Sequence, residues 1–206
     1  MNKVLNHQDI LDLDRLYRIN LINAISGFKS LNLIGTKSAD GNPNVAIFSS
    51  VIHMGSNPPL LGFIMRPLPY KRDTYPNIKE TGFYTINHVN EQIFKQAHQT
   101  SAKYEKGISE FEECGLTEEY LKDFSAPFVK ECSIKIGLSY VEEYPIKANN
   151  TILIIGKVEH LIVPENIIED TGHLNIQSAN TLTMSGLDTY FKTKKLERLA
   201  YAHKPK

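Results

Sequence analysis

Short apolar stretches separated by turn signals run through the first third of the chain. Three of them, at 31–36, 45–54 and 60–65, are rich in residues that favour β-structure. The segments between them, 40–43 and 56–59, read Asp-Gly-Asn-Pro and Ser-Asn-Pro-Pro. Apolar runs of this length, bounded by Gly, Pro, Asn and Asp, are typical of strands joined by turns. The pattern predicts three consecutive β-strands.

Two longer stretches, 132–144 and 151–163, alternate apolar and polar residues around a turn-like segment at 145–150. Alternation with a period of two is typical of strands that bury one face. The two stretches are therefore predicted to pair, and a further strand is predicted at 83–87.

Helical spacing of apolar residues is found between the strands and ahead of them. An amphipathic helix that packs on the rest of the chain is predicted at about 12–24. A short helix is predicted at 73–81, because Pro76 lies near its start and Gly82 just past its end. Segment 91–100 is a third candidate.

The stretch 45–54 is apolar on both faces, which predicts a strand buried on both sides. Only Ser49 and Ser50 interrupt the apolar pattern near its middle. A buried hydroxyl without a hydrogen-bond partner costs about 1–3 kcal/mol. A polar ligand is one possible partner for these two hydroxyls.

The chain has 206 residues, of which 41% are hydrophobic, and no internal repeat. This length fits a single domain, 1–206, with the N-terminal helix at about 12–24 and a basic, aromatic tail at about 185–206. The predicted elements indicate a mainly β fold with helices inserted between strands, closest to a small closed or partly closed barrel.

The charge and the cysteine content limit the partners and the cellular compartment that can be expected for the protein. The 23 basic and 23 acidic residues cancel, so no nucleic-acid partner and no acidic membrane surface are expected. No apolar run is long enough for a membrane span, and no signal peptide is recognisable. Cys114 and Cys132 lack the spacing of a zinc ribbon or a disulfide framework. A soluble, cytoplasmic protein is expected.

An anion-binding composition is found in the segment Arg66-Pro-Leu-Pro-Tyr-Lys-Arg-Asp-Thr74, which joins a strand to a predicted helix start. Helix N-termini offer free N–H groups and the positive end of the helix dipole, and cations add charge-assisted bonds, so a phosphate is the natural occupant. The alternative is an ordinary capped helix with solvated basic neighbours.

Other chemistries lack their required spacing. The chain has no G-x-G for a Rossmann fingerprint and no P-loop, so any nicotinamide must bind without a Rossmann domain. Its seven histidines never form H-x-H or H-E-x-x-H, and no metal site is expected. No activated Ser or Cys is recognisable, and Glu110, Glu112 and Glu113 are interpreted as a solvated face. No side chain is proposed as acid or base.

Four motifs occur in one order along the chain. Asn-Val-Ala-Ile-Phe-Ser-Ser at 44–50 precedes Asn-Pro-Pro-Leu at 57–60, Lys-Arg-Asp-Thr with Asn-Ile at 71–78, and Glu-Phe-Glu-Glu-Cys-Gly-Leu at 110–116. Together they resemble the flavin-reductase-like split-barrel family, which includes the flavoredoxins and typically reads N-x-A-P-x-S, D-P-P-L, K-D-T-x-x-N-I and E-F-x-x-x-G-L. The resemblance spans roughly residues 15–195.

The resemblance implies an FMN-binding split β-barrel, and a homodimer that holds the flavin near the subunit interface. The residues implied for the phosphate are Ser49, Arg72 and Thr74, and those for the ring are Ala46, Ile47 and Phe48. Four further candidates are Ser50, Arg66, Lys71 and Asp73. The flavin itself would accept the hydride, while the protein orients the flavin and adjusts its redox potential.

Two positions depart from the family pattern. Ile47 replaces a proline and restores a backbone N–H that could bond the flavin ring or a neighbouring strand. Arg72 intrudes between Lys71 and Asp73, so either cation could contact the phosphate, and Arg72 is favoured by position.

The resemblance implies an NAD(P)H-dependent flavin or acceptor reductase whose electron acceptor is a small molecule or a protein. The alternative is an FMN-containing electron carrier that docks a redox partner, and a third hypothesis is a domain that has lost the flavin. The sequence does not distinguish NADH from NADPH.

Overall fold

The computed structural model describes residues 1–67, 73–105 and 107–204. Within these ranges the chain forms twelve strands, five α-helices and one 3₁₀ turn at Glu165–Ile167. The helices are α1 (His7–Leu11), α2 (Arg15–Ala24), α3 (Thr74–Thr81), α4 (Phe94–Gln99) and α5 (Glu110–Glu113). The strands are β1 (Lys29–Ser30), β2 (Asn32–Lys37), β3 (Pro43–Phe48), β4 (Ile52–Ser56), β5 (Pro59–Met65), β6 (Phe83–His88), β7 (Glu118–Glu119), β8 (Phe128–Val129), β9 (Lys135–Ile146), β10 (Thr151–Ile162), β11 (Leu182–Ser185) and β12 (Thr189–Lys192).

Seven antiparallel strands form the main sheet, in the order β3-β2-β6-β9-β10-β5-β4. The two edge strands, β3 and β4, are consecutive in the chain and are joined by only Ser49, Ser50 and Val51. A three-residue connection forces the two edges of the sheet together, so the sheet curls into a barrel. The barrel is split because the main chains of β3 and β4 do not pair with each other.

The two faces of the sheet bury different cores. Six strands and α3 fill the interior of the barrel with Ile34, Phe48, Phe63, Met65, Ile78, Tyr84, Ile86, Leu138 and Ile154. The outer face of β2 and β3 packs under α4 and α5, with Leu33, Val45, Ala97 and Phe111 in one cluster. Gly156 makes room for the Tyr84 ring, since a Cβ there would lie 2.2 Å from the Tyr84 hydroxyl oxygen.

The long hairpin is confirmed. Thr151 pairs with Ile146, and the ladder between β9 and β10 continues to Ile162 and Lys135 with two irregularities. The predicted helix at 73–81 is confirmed as α3, and Gly82 ends it with a φ of +75°. The helix predicted at 91–100 is shorter and begins at Phe94.

The prediction of one buried strand at 45–54 is wrong. The extended segment breaks after Phe48, and β4, which begins at Ile52, lies at the other edge of the sheet. Its residues Ile52 and Met54 are exposed rather than buried. The apolar pattern continues through the break, because the chain turns a barrel corner at two serines instead of at Gly or Pro.

The two chain ends also differ from expectation. The N-terminal helix exists as α2, preceded by the short helix α1. Neither helix contains a fully buried residue, but Ile19 and Leu21 of α2 are half-buried, so the predicted packing of its apolar face is partial. The tail contains β12, which pairs with β11, and β11 pairs with β1 to complete a three-stranded sheet.

Candidate functional site

Strand β3 presents one free edge. Among the described residues it pairs only with β2, so no described strand pairs with the main-chain groups on its other side. Its side chains alternate between the two cores: Val45 and Ile47 lie with the outer cluster, whereas Ala46 and Phe48 lie with the interior cluster. The three residues predicted to line a flavin ring, Ala46 to Phe48, therefore form a rigid strand with an open edge.

The Ser50 side chain forms the hydrogen bonds that stabilise the corner after β3. Its hydroxyl donates to the Ile64 carbonyl and accepts from the Ile64 N–H, both at 3.1 Å. Ile52 pairs with Gly62, so the Ser50 hydroxyl extends the ladder between β4 and β5 by one further pair into the corner. Ser50 finds its partner in the main chain, and Ser49, which is half-buried, has no hydrogen-bond partner among the described residues.

The cation Arg66 follows β5 on the same side of the barrel and is exposed. Lys29, on β1, lies near enough that Arg66 helps to lower the pKa of its ammonium group, although burial contributes more. Lys29 donates to the carbonyls of Asn23 at 2.9 Å and Gly186 at 3.1 Å. Arg66 and Lys29 therefore lie near each other, and no signal in the sequence pointed to Lys29.

At the other end of β3 a buried polar network joins the strand to α3. The side-chain amide of Asn44 lies 3.2 Å from the Thr74 Oγ1 and 3.4 Å from the Thr36 Oγ1. Asn77, one turn into α3, donates to the same Thr36 oxygen at 3.1 Å. Thr74 is only 2% exposed, so its hydroxyl is held by Asn44 inside the protein.

Asp73 occupies the N-cap position of α3, but its side chain makes no capping hydrogen bond. The first N–H groups of α3 therefore have no partner from this carboxylate. This corrects the interpretation of the segment as an ordinarily capped helix and leaves the anion-binding alternative open. Lys71 and Arg72 lie outside the described residues.

Glu110 also lies near this end, and its prediction as a solvated carboxylate is wrong. It is half-buried on α5, and its Oε2 lies 3.0 Å from the side-chain amide of Asn44. Burial, and then the negative charge of Asp73, raise the pKa of the Glu110 carboxyl above its usual value. Its place in the Glu-Phe block was the one signal that set Glu110 apart from Glu112 and Glu113.

The predicted site residues are thus brought to the two ends of one strand edge. Ser49, Ser50 and Arg66 lie at the Ile64 end, Asp73 and Thr74 lie at the Asn44 end, and Ala46 to Phe48 lie between them. The chain leaves β5 at one end of this edge and enters α3 at the other. We call the space along this edge the β3 groove.

A second concave region lies on the outer side, where β12 meets α4. It has a volume of about 620 Å³ and is lined by Phe94, Lys95, His98, Asp188, Thr189 and Tyr190. The Tyr190 hydroxyl is 2.6 Å from the His98 Nδ1. None of the described residues predicted for the flavin lines this region.

Within residues 1–67, 73–105 and 107–204, no helix is long and apolar enough to span a membrane. No three His, Cys, Asp or Glu side chains in these ranges are grouped so that they could hold a metal ion.

Comparison with solved structures places the fold. A split-barrel protein from Shewanella frigidimarina NCIMB 400, assigned as a flavin reductase, is 48% identical, with a TM-score of 0.94 over 98% of this chain and 100% of that one. Flavoredoxin of Desulfovibrio vulgaris (Miyazaki F) is 23% identical, with a TM-score of 0.72 over 85% of this chain and 92% of that one. An FMN-binding domain of a flavin-reductase-like enzyme from Shewanella baltica OS155 is 16% identical, with a TM-score of 0.69 over 84% and 90%.

These similarities confirm the mainly β split-barrel fold with inserted helices. The model of the flavin reductase like domain matches residues 28–182, which include the β3 groove, α3 and Glu110. The chain belongs to the flavin reductase like domain family.

Proposed function

We propose that this chain binds FMN in the β3 groove and acts as an NAD(P)H-dependent flavin or acceptor reductase. The observation that carries the proposal is the open edge of β3, which has hydroxyls at both ends and, among the described residues, no strand paired to the main chain between them. This arrangement suits a ligand with a planar ring that offers hydrogen-bonding groups along one edge and carries a phosphate at one end.

The residues of the groove fit this ligand. Ala46, Ile47 and Phe48 would face the ring with their main chain, since the Phe48 side chain packs edge-on against Phe63 in the core. The Ser49 hydroxyl has no hydrogen-bond partner among the described residues, and the Asp73 side chain does not cap the first N–H groups of α3, beside Thr74. The proposed phosphate ligands are Ser49, with Ser50 and Arg66 at one end of the groove, Thr74, with Asp73 at the other end, and Arg72. Because Ser49 and Thr74 lie at opposite ends of β3, one phosphate would contact one group or the other. Lys71 and Arg72 lie outside the described residues.

Bound flavin would supply the hydride acceptance, and the protein would supply binding, orientation and charge. No side chain of the groove is assigned as acid or base. The alternative, an FMN-containing electron carrier, has the same groove and differs only in whether a nicotinamide reduces the flavin. The flavoredoxin similarity favours keeping this second candidate.

We also propose that residues 1–206 form one domain and that the protein is a homodimer. The apolar residues of the N-terminal segment support a dimer, because Leu16, Ile25 and Phe28 are each about two-thirds exposed at 65%, 68% and 66%. Exposed apolar groups of this size gain free energy when a second copy covers them. Sedimentation analysis of the full chain beside one lacking residues 1–28 tests this; an unchanged monomeric mass for both contradicts it.

The compartment proposed is the cytoplasm. Cys114 and Cys132 are both buried and unpaired, as expected of thiols kept reduced.

The visible spectrum of the purified protein tests the cofactor. We expect a flavin spectrum, either as purified or after addition of FMN, and anaerobic bleaching by NADH or NADPH. Bleaching by dithionite but by neither nicotinamide would favour the electron carrier. A colourless protein that cannot be reconstituted with FMN would contradict both redox proposals and support the hypothesis of a domain without flavin.

A further inference from the structure

The concave region between α4 and β12 is built from residues that the proposed flavin site does not use. Its volume of about 620 Å³ lies within the range of about 300–1,000 Å³ that is common for small-molecule sites. Its lining comes from α4, from β12 and from the turn before β12, and consists of Phe94, Lys95, His98, Asp188, Thr189 and Tyr190. We call it the outer pocket.

Aromatic side chains form one wall of the outer pocket. The rings of Phe94 and Tyr190 are in contact, with centroids 5.5 Å apart and an angle of 57° between their planes. Both residues are half-buried and pack on the outer cluster that contains Leu33. The Tyr190 hydroxyl lies 2.6 Å from the His98 Nδ1, so a side-chain hydrogen bond joins β12 to α4. The wall is therefore held in place without a ligand, and it suits a planar aromatic ring.

Two opposite charges line the same pocket without pairing. None of the ion pairs among the described residues includes Lys95 or Asp188. The Lys95 Nζ lies 6.0 Å from the centroid of the Phe94 ring. Asp188 is near enough to help raise the pKa of the Tyr190 hydroxyl, although burial contributes more. Each charge thus lies beside the aromatic wall, the cation on the α4 side and the anion on the β12 side.

A smaller polar depression, which also borders β12, shows the contrast. It has a volume of about 230 Å³ and is lined in part by Glu91 and Lys192, whose side chains form an ion pair. The charges of that depression are neutralised within the protein. In the outer pocket, by contrast, no described residue neutralises the ammonium group or the carboxylate, so both can attract complementary groups of a ligand.

We propose that the outer pocket is a second ligand site, which binds a planar aromatic carboxylate that also carries an N–H donor. The ring packs on Phe94 and Tyr190. The carboxylate bonds to the Lys95 ammonium group, and the N–H bonds to the Asp188 carboxylate. A phosphate ester fits less well, because its higher negative charge is repelled by Asp188.

This ligand lies behind β3 rather than along its edge. Phe94 and Tyr190 pack on the same outer cluster as Val45 and Ile47, whereas the β3 groove follows the main-chain edge of the strand. None of the described residues predicted for the flavin lines the outer pocket. The inference therefore goes beyond the proposed function, and the aromatic ligand and FMN should bind independently.

Three small probes separate the two polar contacts. 4-Aminobenzoate carries the ring, the carboxylate and the N–H donor, whereas benzoate lacks the donor and aniline lacks the carboxylate. Their dissociation constants are measured by isothermal titration calorimetry at pH 7 for the wild type, Lys95→Ala, Asp188→Ala and Lys130→Ala. Lys130 is exposed and does not line the pocket, so Lys130→Ala removes the same charge elsewhere and is the matched control.

We expect the wild type to bind 4-aminobenzoate more tightly than either of the other probes. Lys95→Ala should weaken the binding of 4-aminobenzoate and benzoate by about fivefold, as is typical of one charged contact at an exposed position, and leave aniline unchanged. Asp188→Ala should weaken 4-aminobenzoate and aniline, but not benzoate. Lys130→Ala should change none of the three constants.

Two results would overturn the proposal. The first is the absence of 4-aminobenzoate binding at concentrations up to roughly 10 mM, where even a weak fragment-sized ligand is detected. The second is a loss in Lys95→Ala that is equal for all three probes or is matched by Lys130→Ala, because the carboxylate would then have no specific partner at Lys95.

A repeat of the titrations with saturating FMN separates this inference from the proposed function. An unchanged dissociation constant of 4-aminobenzoate supports a second site. Competition between FMN and 4-aminobenzoate would show that they share one site and would overturn the inference. If FMN does not bind at all, the proposed function fails, and the probe titrations still decide whether the outer pocket binds its ligand.

Discussion

The two ends of strand β3 are both held by polar side chains, but by different kinds of partner. At the corner end, the Ser50 hydroxyl bonds to the main chain of Ile64, as both donor and acceptor. At the other end, Asn44 bonds to the side chains of Thr74, Thr36 and Glu110. The main-chain partners of Ser50 cannot reverse their polarity, whereas hydroxyls, amides and a titratable carboxyl can.

The difference separates two tasks along the β3 groove. The corner end fixes the geometry of the barrel, because the Ser50 hydroxyl extends the ladder between β4 and β5 into the corner. The Asn44 end holds the start of α3 through side chains that are almost completely buried. The comparison predicts that changes at the two ends will differ in their effects on stability, on pH dependence and on ligand affinity.

The largest loss of stability is expected from Asn44→Leu. Asn44 is 5% exposed, and its removal leaves the Thr74 hydroxyl and the Glu110 carboxyl without their amide partner. Unfolding in urea should show a loss of about 3 kcal/mol. The control Asn42→Leu changes an exposed residue two positions earlier and should be nearly neutral. Equal effects of the two variants would show that the network does not stabilise the fold.

The next largest effect is expected from Ser50→Ala. Without the hydroxyl, the N–H and C=O of Ile64 lose their partner, although water can replace it in part because Ser50 is only half-buried. We expect a loss of about 1–2 kcal/mol in the free energy of unfolding, with the same value at pH 5 and pH 8. A pH-dependent loss would contradict the view that the hydrogen bonds of Ser50 involve no titrating group.

These two ends also show what the sequence could and could not predict. The strands and α3 follow from local patterns: alternation, Pro76 near the start of the helix and Gly82 at its end. The break after Phe48 does not, because Ser50 is satisfied by Ile64, fourteen residues later, and only the closed barrel brings them together. The apolar face of α2 was recognised, but the pattern cannot say which surface covers it.

For the candidate site, the motifs placed most of the predicted residues on one strand edge and one helix entrance. The motifs did not reveal the role of Glu110, because the acidic composition of its segment predicts a solvent-exposed side chain. Its partner Asn44 lies 66 positions away, and burial comes from the packing of α5 on β3. A carboxylate whose role depends on such a tertiary contact looks like its exposed neighbours Glu112 and Glu113 in the sequence.

A third prediction concerns His88, which lies beside Asn32 on the face that Phe48 shares, near the corner end. Its Nδ1 is buried without a partner among the described residues, and burial lowers the pKa of the imidazole to about 4 from 6.5. Between these values the unfolded chain binds a proton that the folded chain does not, so stability falls as pH falls from 6.5 to 4.

The slope should be about 1 kcal/mol for each pH unit and should be removed by His88→Gln. His53→Gln, at an exposed position of β4, is the control and should keep the slope. Urea unfolding of the three proteins at pH 4.5, 5.5 and 7 measures it. A slope that persists in His88→Gln would assign the acid sensitivity to another group.

The smallest effect on stability is expected from Ser49→Ala, at the position directly before Ser50. Ser49 has no hydrogen-bond partner among the described residues, so its loss should change the free energy of unfolding by less than about 0.5 kcal/mol. If its hydroxyl serves the flavin phosphate, FMN should bind roughly tenfold more weakly or worse, because a hydrogen bond to a charged group contributes about 1.5–3 kcal/mol. Riboflavin affinity should not change. A variant that loses stability but keeps its FMN affinity would show that Ser49 and Ser50 share one structural role, and that the phosphate lies elsewhere along the groove.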